Sequence, residues 1–416
     1  MVFQLKNQVL RQNQKNYLNN QFSPEVQLLL LASRKTLSEL NIKTIKLFTS
    51  SETINWQELI NLATSHSVIP LVVYNLEKYC HENLPNDIKN ILKIKFRNNA
   101  FKNIYLSKEL LEIVQLLKNN NIDCICFKGA SLATSIYENI SLREFNDIDI
   151  LIAKKDLLQA KKILLSNGGD FALRLLDNPK KEYIISDRIF IKFAKHLAYT
   201  IYWKKKKVEV DLHWQMFCYY FPLSLPIEYL NQSLEEIIIF NEKISTLSPE
   251  NNLLLLCGHG TKDGWNKLSR ICDIAELINY YPQLDWKLLI QEAKNRGALR
   301  LVLVGLSLAN NLYQISLPDF ISLKIINDKK IKYLTDEVEK SLFSECKKSI
   351  KKIDHFLFTI QFRERLRDKI KSIVYLLFIP THAEWALFAP YELPIIFYYL
   401  LRPFILLNKF ILKFKN

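Results

Sequence analysis

Residues 143–152 read Arg143-Glu144-Phe145-Asn146-Asp147-Ile148-Asp149-Ile150-Leu151-Ile152. Asp147 and Asp149 alternate with Ile148, Ile150 and Ile152 as they would in a strand, where successive side chains point to opposite faces. Both carboxylates then share one face, with Cα atoms roughly 6.6 Å apart by strand rise. Asp is depleted in strands and like charges at that range repel, so the pair makes physical sense chiefly with a cation between them. A hard divalent ion, Mg²⁺ or in its place Mn²⁺, bound by one or two carboxylates plus phosphate oxygens, meets that need.

A second acid-bearing strand is expected at Val208-Glu209-Val210-Asp211-Leu212-His213-Trp214, where Val208, Val210 and Leu212 alternate with Glu209, Asp211 and His213. Paired beside the first strand, it brings a third acid, Asp211, to the same face. Three converging acids suit a two-metal phosphoryl or nucleotidyl transfer, with ions about 3.5 to 4 Å apart. Asp211 would then be base or bridging ligand. Upstream, Lys128-Gly129 ends a short apolar run, CICF at 124–127, and opens a helical pattern. That places a small residue and free backbone N–H groups where phosphate can approach.

Further strand-length runs stand at 123–127, 188–194 and 207–214, and residues 154–169 carry a helical pattern between the first two. Before residue 120 and after Ser248-Pro249-Glu250 the apolar spacing is helical, the latter opening with Pro in the first turn. The expected class is therefore α+β. A helical region at 1–120 precedes a mixed-sheet domain at 121–246, and a helical domain with a basic, aromatic-rich tail occupies 247–416.

With 416 residues, 49% apolar and 24% charged, the chain is globular rather than disordered or fibrous. Its formal charge of +15 favours an anionic partner, and residues 347–416 alone hold 13 Lys and Arg against 5 Asp and Glu. Seven cysteines in apolar surroundings, without a metal-type Cys-x-x-Cys pair, read as core thiols of a cytoplasmic protein. No export signal is read at the N-terminus. The longest apolar run of the tail, Leu393–Leu401, is too short to span a bilayer, but the tail is suited to an anionic membrane surface or to RNA. Only 8 glycines are present, with no Gly-x-Gly-x-x-Gly or Walker loop, no zinc-spaced Cys/His cluster and no Gly-x-Ser-x-Gly elbow.

The set FKGASLATSIY, LREFNDIDILI, a downstream KH and then VEVDLHW resembles the uncharacterised nucleotidyltransferase family of the polymerase-beta-like nucleotidyltransferase superfamily. The similarity runs on through Thr246-Leu247-Ser248-Pro249-Glu250 into the CGHG and RICDIAELI stretches. The resemblance implies a nucleotidyltransferase that moves a nucleoside monophosphate from an NTP, first of all ATP, and releases pyrophosphate. It assigns two Mg²⁺ ions and catalysis to Asp147, Asp149 and Asp211, and the phosphate-gripping turn to Gly129 with Ser131 nearby. Ala130 departs from the common turn, where Ser or Gly directly follows the glycine. Lys128 and Arg143 are expected to hold the leaving phosphates. His196 and His213 are expected near substrate. The acceptor, a small molecule, a peptide or protein side chain, or an RNA 3′ end, is left open, and a silent nucleotide-binding module is the alternative from another class.

Overall fold

Strand residues that alternate in sequence do so in space, and their pairing sets the architecture. In the computed structural model, which describes residues 22–51, 53–171, 198–204, 207–218, 221–344, 357–380 and 395–414, five strands form one sheet. They are β1 (Cys124–Cys126), β2 (Asp147–Ile152), β3 (Asp170–Phe171), β4 (Ala198–Trp203) and β5 (Val208–His213), in the order β1-β2-β5-β4-β3. The β2 and β5 pairing is parallel, and the other three are antiparallel. A separate hairpin, β6 (Leu234–Ile239) with β7 (Glu242–Leu247), is tied to β1 where the Thr246 hydroxyl donates to the Cys126 carbonyl at 2.7 Å. The run at 188–194, expected as a strand, lies outside the described residues.

Helices make up most of the other described residues. Before the sheet come α1 (Pro24–Ala32), α2 (Glu39–Ser50), α3 (Trp56–Ser65), α4 (Ile69–Cys80) and α5 (Asn86–Lys118). Within the sheet region lie α6 (Gly129–Ser135) and α7 (Leu157–Ser166). After it follow α8 (Pro249–Lys262), α9 (Leu268–Tyr280), α10 (Trp286–Arg296), α11 (Leu299–Tyr313), α12 (Asp319–Asn327), α13 (Lys329–Leu342), α14 (Leu366–Phe378) and α15 (Ile395–Phe414). Their starts obey local chemistry. Ser23, Ser38, Asn55, Ser248 and Asp285 each accept an N–H of the first turn. Residues 286–313, one continuous apolar pattern in sequence, break into α10 and α11 at Gly297, whose φ of +72° is left-handed.

Two apolar clusters divide the molecule. One face of the sheet, with Ile148, Ile150, Val210 and Leu212, packs on the C-terminal half of α5 and on α7. The opposite face contributes Ile125, Phe127 and Leu151 to a larger cluster built by helices from both ends of the chain, such as Leu29 and Val72 with Leu254, Ile274 and Leu303. The N-terminal and C-terminal helices thus share one interior. Helix α5, about 50 Å long at 1.5 Å per residue, runs from that interior at Ile88 and Leu92 to the sheet at Leu110 and Ile113.

Two buried asparagines on α5 fix the loop that leads into β2. Asn103 donates to the carbonyls of Ile140 at 2.6 Å and Arg143 at 2.7 Å, and Asn99 donates to Ser141 at 2.9 Å. Because Asn103 is fully buried, Asn103→Leu leaves two carbonyls without their donor, at a cost of about 1–3 kcal/mol. A drop of several degrees in the melting temperature is expected by calorimetry, with the far-UV circular dichroism spectrum unchanged.

Candidate active site

Parallel pairing of β2 and β5 puts Asp149 opposite Asp211 and Asp147 opposite Glu209, all on the face turned toward the helical interior. Asp149 is buried, and Asp147 and Asp211 are half-buried. The Asp149 carboxylate is held at both ends. His213 Nε2 lies 2.9 Å from one oxygen and Lys128 Nζ 3.5 Å from the other. Burial alone would raise the Asp149 pKa, yet the Lys128 charge and the His213 hydrogen bond outweigh it and hold the carboxyl well below the usual range. Asp147 goes the other way. Burial raises it, and the charges of Asp149 and Asp211 add to that against Lys128. The cluster carries more negative charge than its own cations compensate.

The donor set suits a metal ion. One ligand atom each from Asp149, Asp211 and His213 falls within a span of 4.8 Å, a mixture of hard oxygens and an imidazole nitrogen open to several divalent ions. His213, expected as a substrate contact, thus falls among the three side chains that could hold such an ion, while Asp147 stands on the same face outside that group. The second Asp211 contact is Thr200 on β4, whose hydroxyl donates to Oδ1 at 2.7 Å. Thr200 was not legible beforehand, because the strand bearing it, Ala198–Trp203, pairs with β5 without an alternating pattern of its own.

Lys128 and Gly129 form the turn between β1 and α6. Lys128 has φ +56° and ψ −138°, a conformation that glycine takes freely and an L residue does not, and Gly129 follows at φ +31°. Such strain, of order 1–3 kcal/mol, is retained where the surroundings impose it. It aims the Lys128 side chain across the acid face to Asp149. Gly129 and Ser131 are buried beside Asp147 and Asp149 in one small pocket with Phe127 and Phe145.

Arg143, expected to hold phosphate, is paired with a buried carboxylate in this structure. Its guanidinium binds Asp273 on α9 through two hydrogen bonds of 3.0 and 2.9 Å, and Tyr137 donates to the same carboxylate at 2.8 Å. Its Nη1 lies 3.5 Å from the Gly129 carbonyl. Burial by itself would lower the Arg143 pKa, but the Asp273 charge raises it further than burial lowers it. Arg143 therefore joins the glycine turn to the helical body. Asp273, on α9, is the partner that makes this join.

Across the acid face lie residues of α8 and α9. His259 pairs with Asp263 at 3.2 Å, and Arg270 pairs with Asp263 at 2.7 Å. Burial, then the charge of Lys128, brings the His259 pKa down to about 3. His196 lies outside the described residues.

No curated protein matches the chain. Among solved structures it is similar to an antigenic nucleotidyltransferase-like protein from Paracoccidioides brasiliensis, at 16% identity over 52% of this chain and 95% of that one, with a TM-score of 0.30. A family model described as uncharacterised nucleotidyltransferase matches residues 52–314. That span takes in the five-stranded sheet, all three acids, the Lys128 turn and Asp273. The chain therefore belongs to the uncharacterised nucleotidyltransferase family, an α+β transferase whose mixed sheet is flanked by helices on both sides of the sequence.

Proposed function

We propose that this protein transfers a nucleoside monophosphate from a nucleoside triphosphate to a nucleophilic acceptor, releasing pyrophosphate. The observation that carries the reading is the parallel register of β2 and β5, which sets Asp149 against Asp211 on a half-buried face beside the Lys128 turn. Divalent cations, Mg²⁺ or Mn²⁺, are the cofactors of this reading, with Asp149 and Asp211 as ligands, His213 beside them and Asp147 a further carboxylate on the same face. Bound there, they would neutralise phosphate charge for an in-line displacement at the α-phosphorus.

The chain's own groups divide the remaining work. Asp211, steadied by Thr200, would serve as base toward the acceptor or as a bridging ligand. His213 fixes the rotamer of Asp149 through its 2.9 Å contact. Lys128 brings an ammonium group to the acid face, where it would meet an oxygen of the triphosphate, and Gly129 with Ser131 lines the pocket beside it. Arg143 supports the turn from behind through Gly129 and Asp273, rather than gripping phosphate. ATP is the first triphosphate to test, against the other three ribonucleotides.

Titration calorimetry with each NTP, in the presence and absence of Mg²⁺ and Mn²⁺, tests the reading. Binding that depends on the metal and weakens at least about tenfold in Asp149→Asn and Asp211→Asn is expected, since each substitution removes a charged ligand. Nucleotide binding indifferent to the metal and to both variants would sink the transferase mechanism. Incubation with α-labelled NTP and separated small-molecule, protein and RNA fractions then identifies the acceptor by where the label goes.

A second outcome follows from Arg143. Replacing the buried pair together, Arg143→Met with Asp273→Leu, removes two charges at once and is expected to leave the fold intact, whereas Asp273→Ala alone strands a buried guanidinium at a cost of about 3–5 kcal/mol. If Arg143 only supports the turn, the double variant keeps NTP affinity within about threefold. A loss matching that of Asp149→Asn would return Arg143 to the phosphates.

His259 gives a pH signature. Its folded pKa of about 3 lies below the ordinary 6.5, so between those values the unfolded chain binds the proton and the folded one does not. Stability therefore falls as pH drops through this window. In His259→Gln the melting temperature is expected to fall less between about pH 6.5 and pH 4 than in the wild type; equal slopes would remove His259 as the cause.

A further inference from the structure

The last two helices among the described residues wear their apolar stripes on the outside. On α14, Leu366, Ile370, Ile373 and Leu377 recur at i, i+4, i+7 and i+11, with exposures of 71, 52, 43 and 38%. On α15, Ile396, Leu400, Phe404 and Leu407 recur at i, i+4, i+8 and i+11, with exposures of 56, 57, 70 and 56%. This is the spacing of the face that a helix in a globular protein buries. The inward sides are otherwise occupied. Ser372 is buried on α14, Tyr398 and Arg402 are buried on α15, and Arg402 Nε donates to the Leu376 carbonyl at 3.1 Å, holding the two helices together. Scattered exposed leucines are ordinary, but an exposed stripe at helical spacing on each of two paired helices marks an interaction surface.

Charge identifies the occupant. Besides the buried Arg402, the two helices carry Arg367, Lys369, Lys371, Lys409 and Lys413 in sequence against a single acid, Asp368. At about 100° per residue, Arg367 and Lys371 fall along one border of the α14 stripe and Lys369 along the other. Apolar side chains bordered by basic ones match an anionic bilayer surface, where the stripe enters the acyl boundary and the bordering cations meet headgroup phosphates. A symmetric second copy would bring the basic borders of like faces together. RNA calls for cations and stacking rings on the exposed face, and here that face is mainly aliphatic. Spanning is excluded for the described residues, since none of their helices is long and apolar enough to cross a membrane, and the α14 stripe covers only about 17 Å.

We propose that α14 and α15 form a membrane-surface anchor that lays this protein on anionic lipid. The proposal stands on the exposed stripes and their charge, independently of the transferase chemistry. The test is flotation of the full chain with vesicles of phosphatidylcholine alone and of phosphatidylcholine mixed with phosphatidylglycerol. The wild type is expected to float with the mixed vesicles and to stay below with the neutral ones. Ile370→Glu with Phe404→Glu, both at exposed positions, should cut partitioning about tenfold or more without moving the melting temperature. Arg367→Glu with Lys371→Glu, which leaves the stripe whole, should weaken binding and flatten its dependence on salt. The proposal is overturned if the wild type does not float with anionic vesicles. It is equally overturned if light scattering shows a dimer that the stripe variant converts to monomer, or if the basic variant releases single-stranded RNA while vesicle binding is unchanged.

Discussion

Everything at the acid face depends on two like charges being held side by side. Parallel pairing of β2 and β5 presses Asp149 against Asp211 where water is scarce, and electrostatic repulsion there is stronger than in solvent. The fold offsets the repulsion only in part. Lys128 and His213 serve Asp149, Thr200 serves Asp211, and Asp147 is left with its pKa raised by burial and by the charge of Asp149. A site that keeps such an imbalance within reach of a strained lysine–glycine turn is built for something positive to arrive.

The support behind the acids is equally specific. Asn99 and Asn103 pin the loop from 140 to 143, Arg143 passes that rigidity to the glycine turn and to α9, and Tyr137 shares the same Asp273 carboxylate. Buried donors paired in this way fix a single arrangement, because any shift leaves a carbonyl or carboxylate without its donor. The acids are thus positioned from two directions, by strand register along the sheet and by hydrogen bonds at the loop that feeds it.

How much of this was legible in the sequence follows from which interactions are local. Period-two alternation marks the first acid strand to the residue and the second, expected over 207–214, to within one residue at each end, and Ser248-Pro249 marks a helix start, since each signal lies within a few neighbours. The β6–β7 hairpin escaped because its turn is Phe240-Asn241, with φ of +47° and +72°, and lacks the glycine that usually announces such a turn. The Arg143–Asp273 pair escaped for another reason. Its partners are 130 positions apart, and an arginine four residues before an acid strand looks the same whether it faces phosphate or a distant helix. His213 was read as lying on the Asp211 face, but its closest partner, Asp149, could be seen only once the register was known.

The sharing of one interior by the two helical ends has a consequence for how the molecule can be divided. The sheet leaves that body through α5 and returns to it at α8, so it behaves as an insertion closed at both ends. Its acid face is also roofed by the body it is inserted into, because Ile125, Phe127 and Leu151 belong to the same apolar cluster as Leu254 and Ile274. A fragment trimmed to the sheet alone would carry those three side chains bare beside its carboxylates. The smallest unit able to hold the acids in register is therefore the sheet with helices drawn from both sides of the sequence.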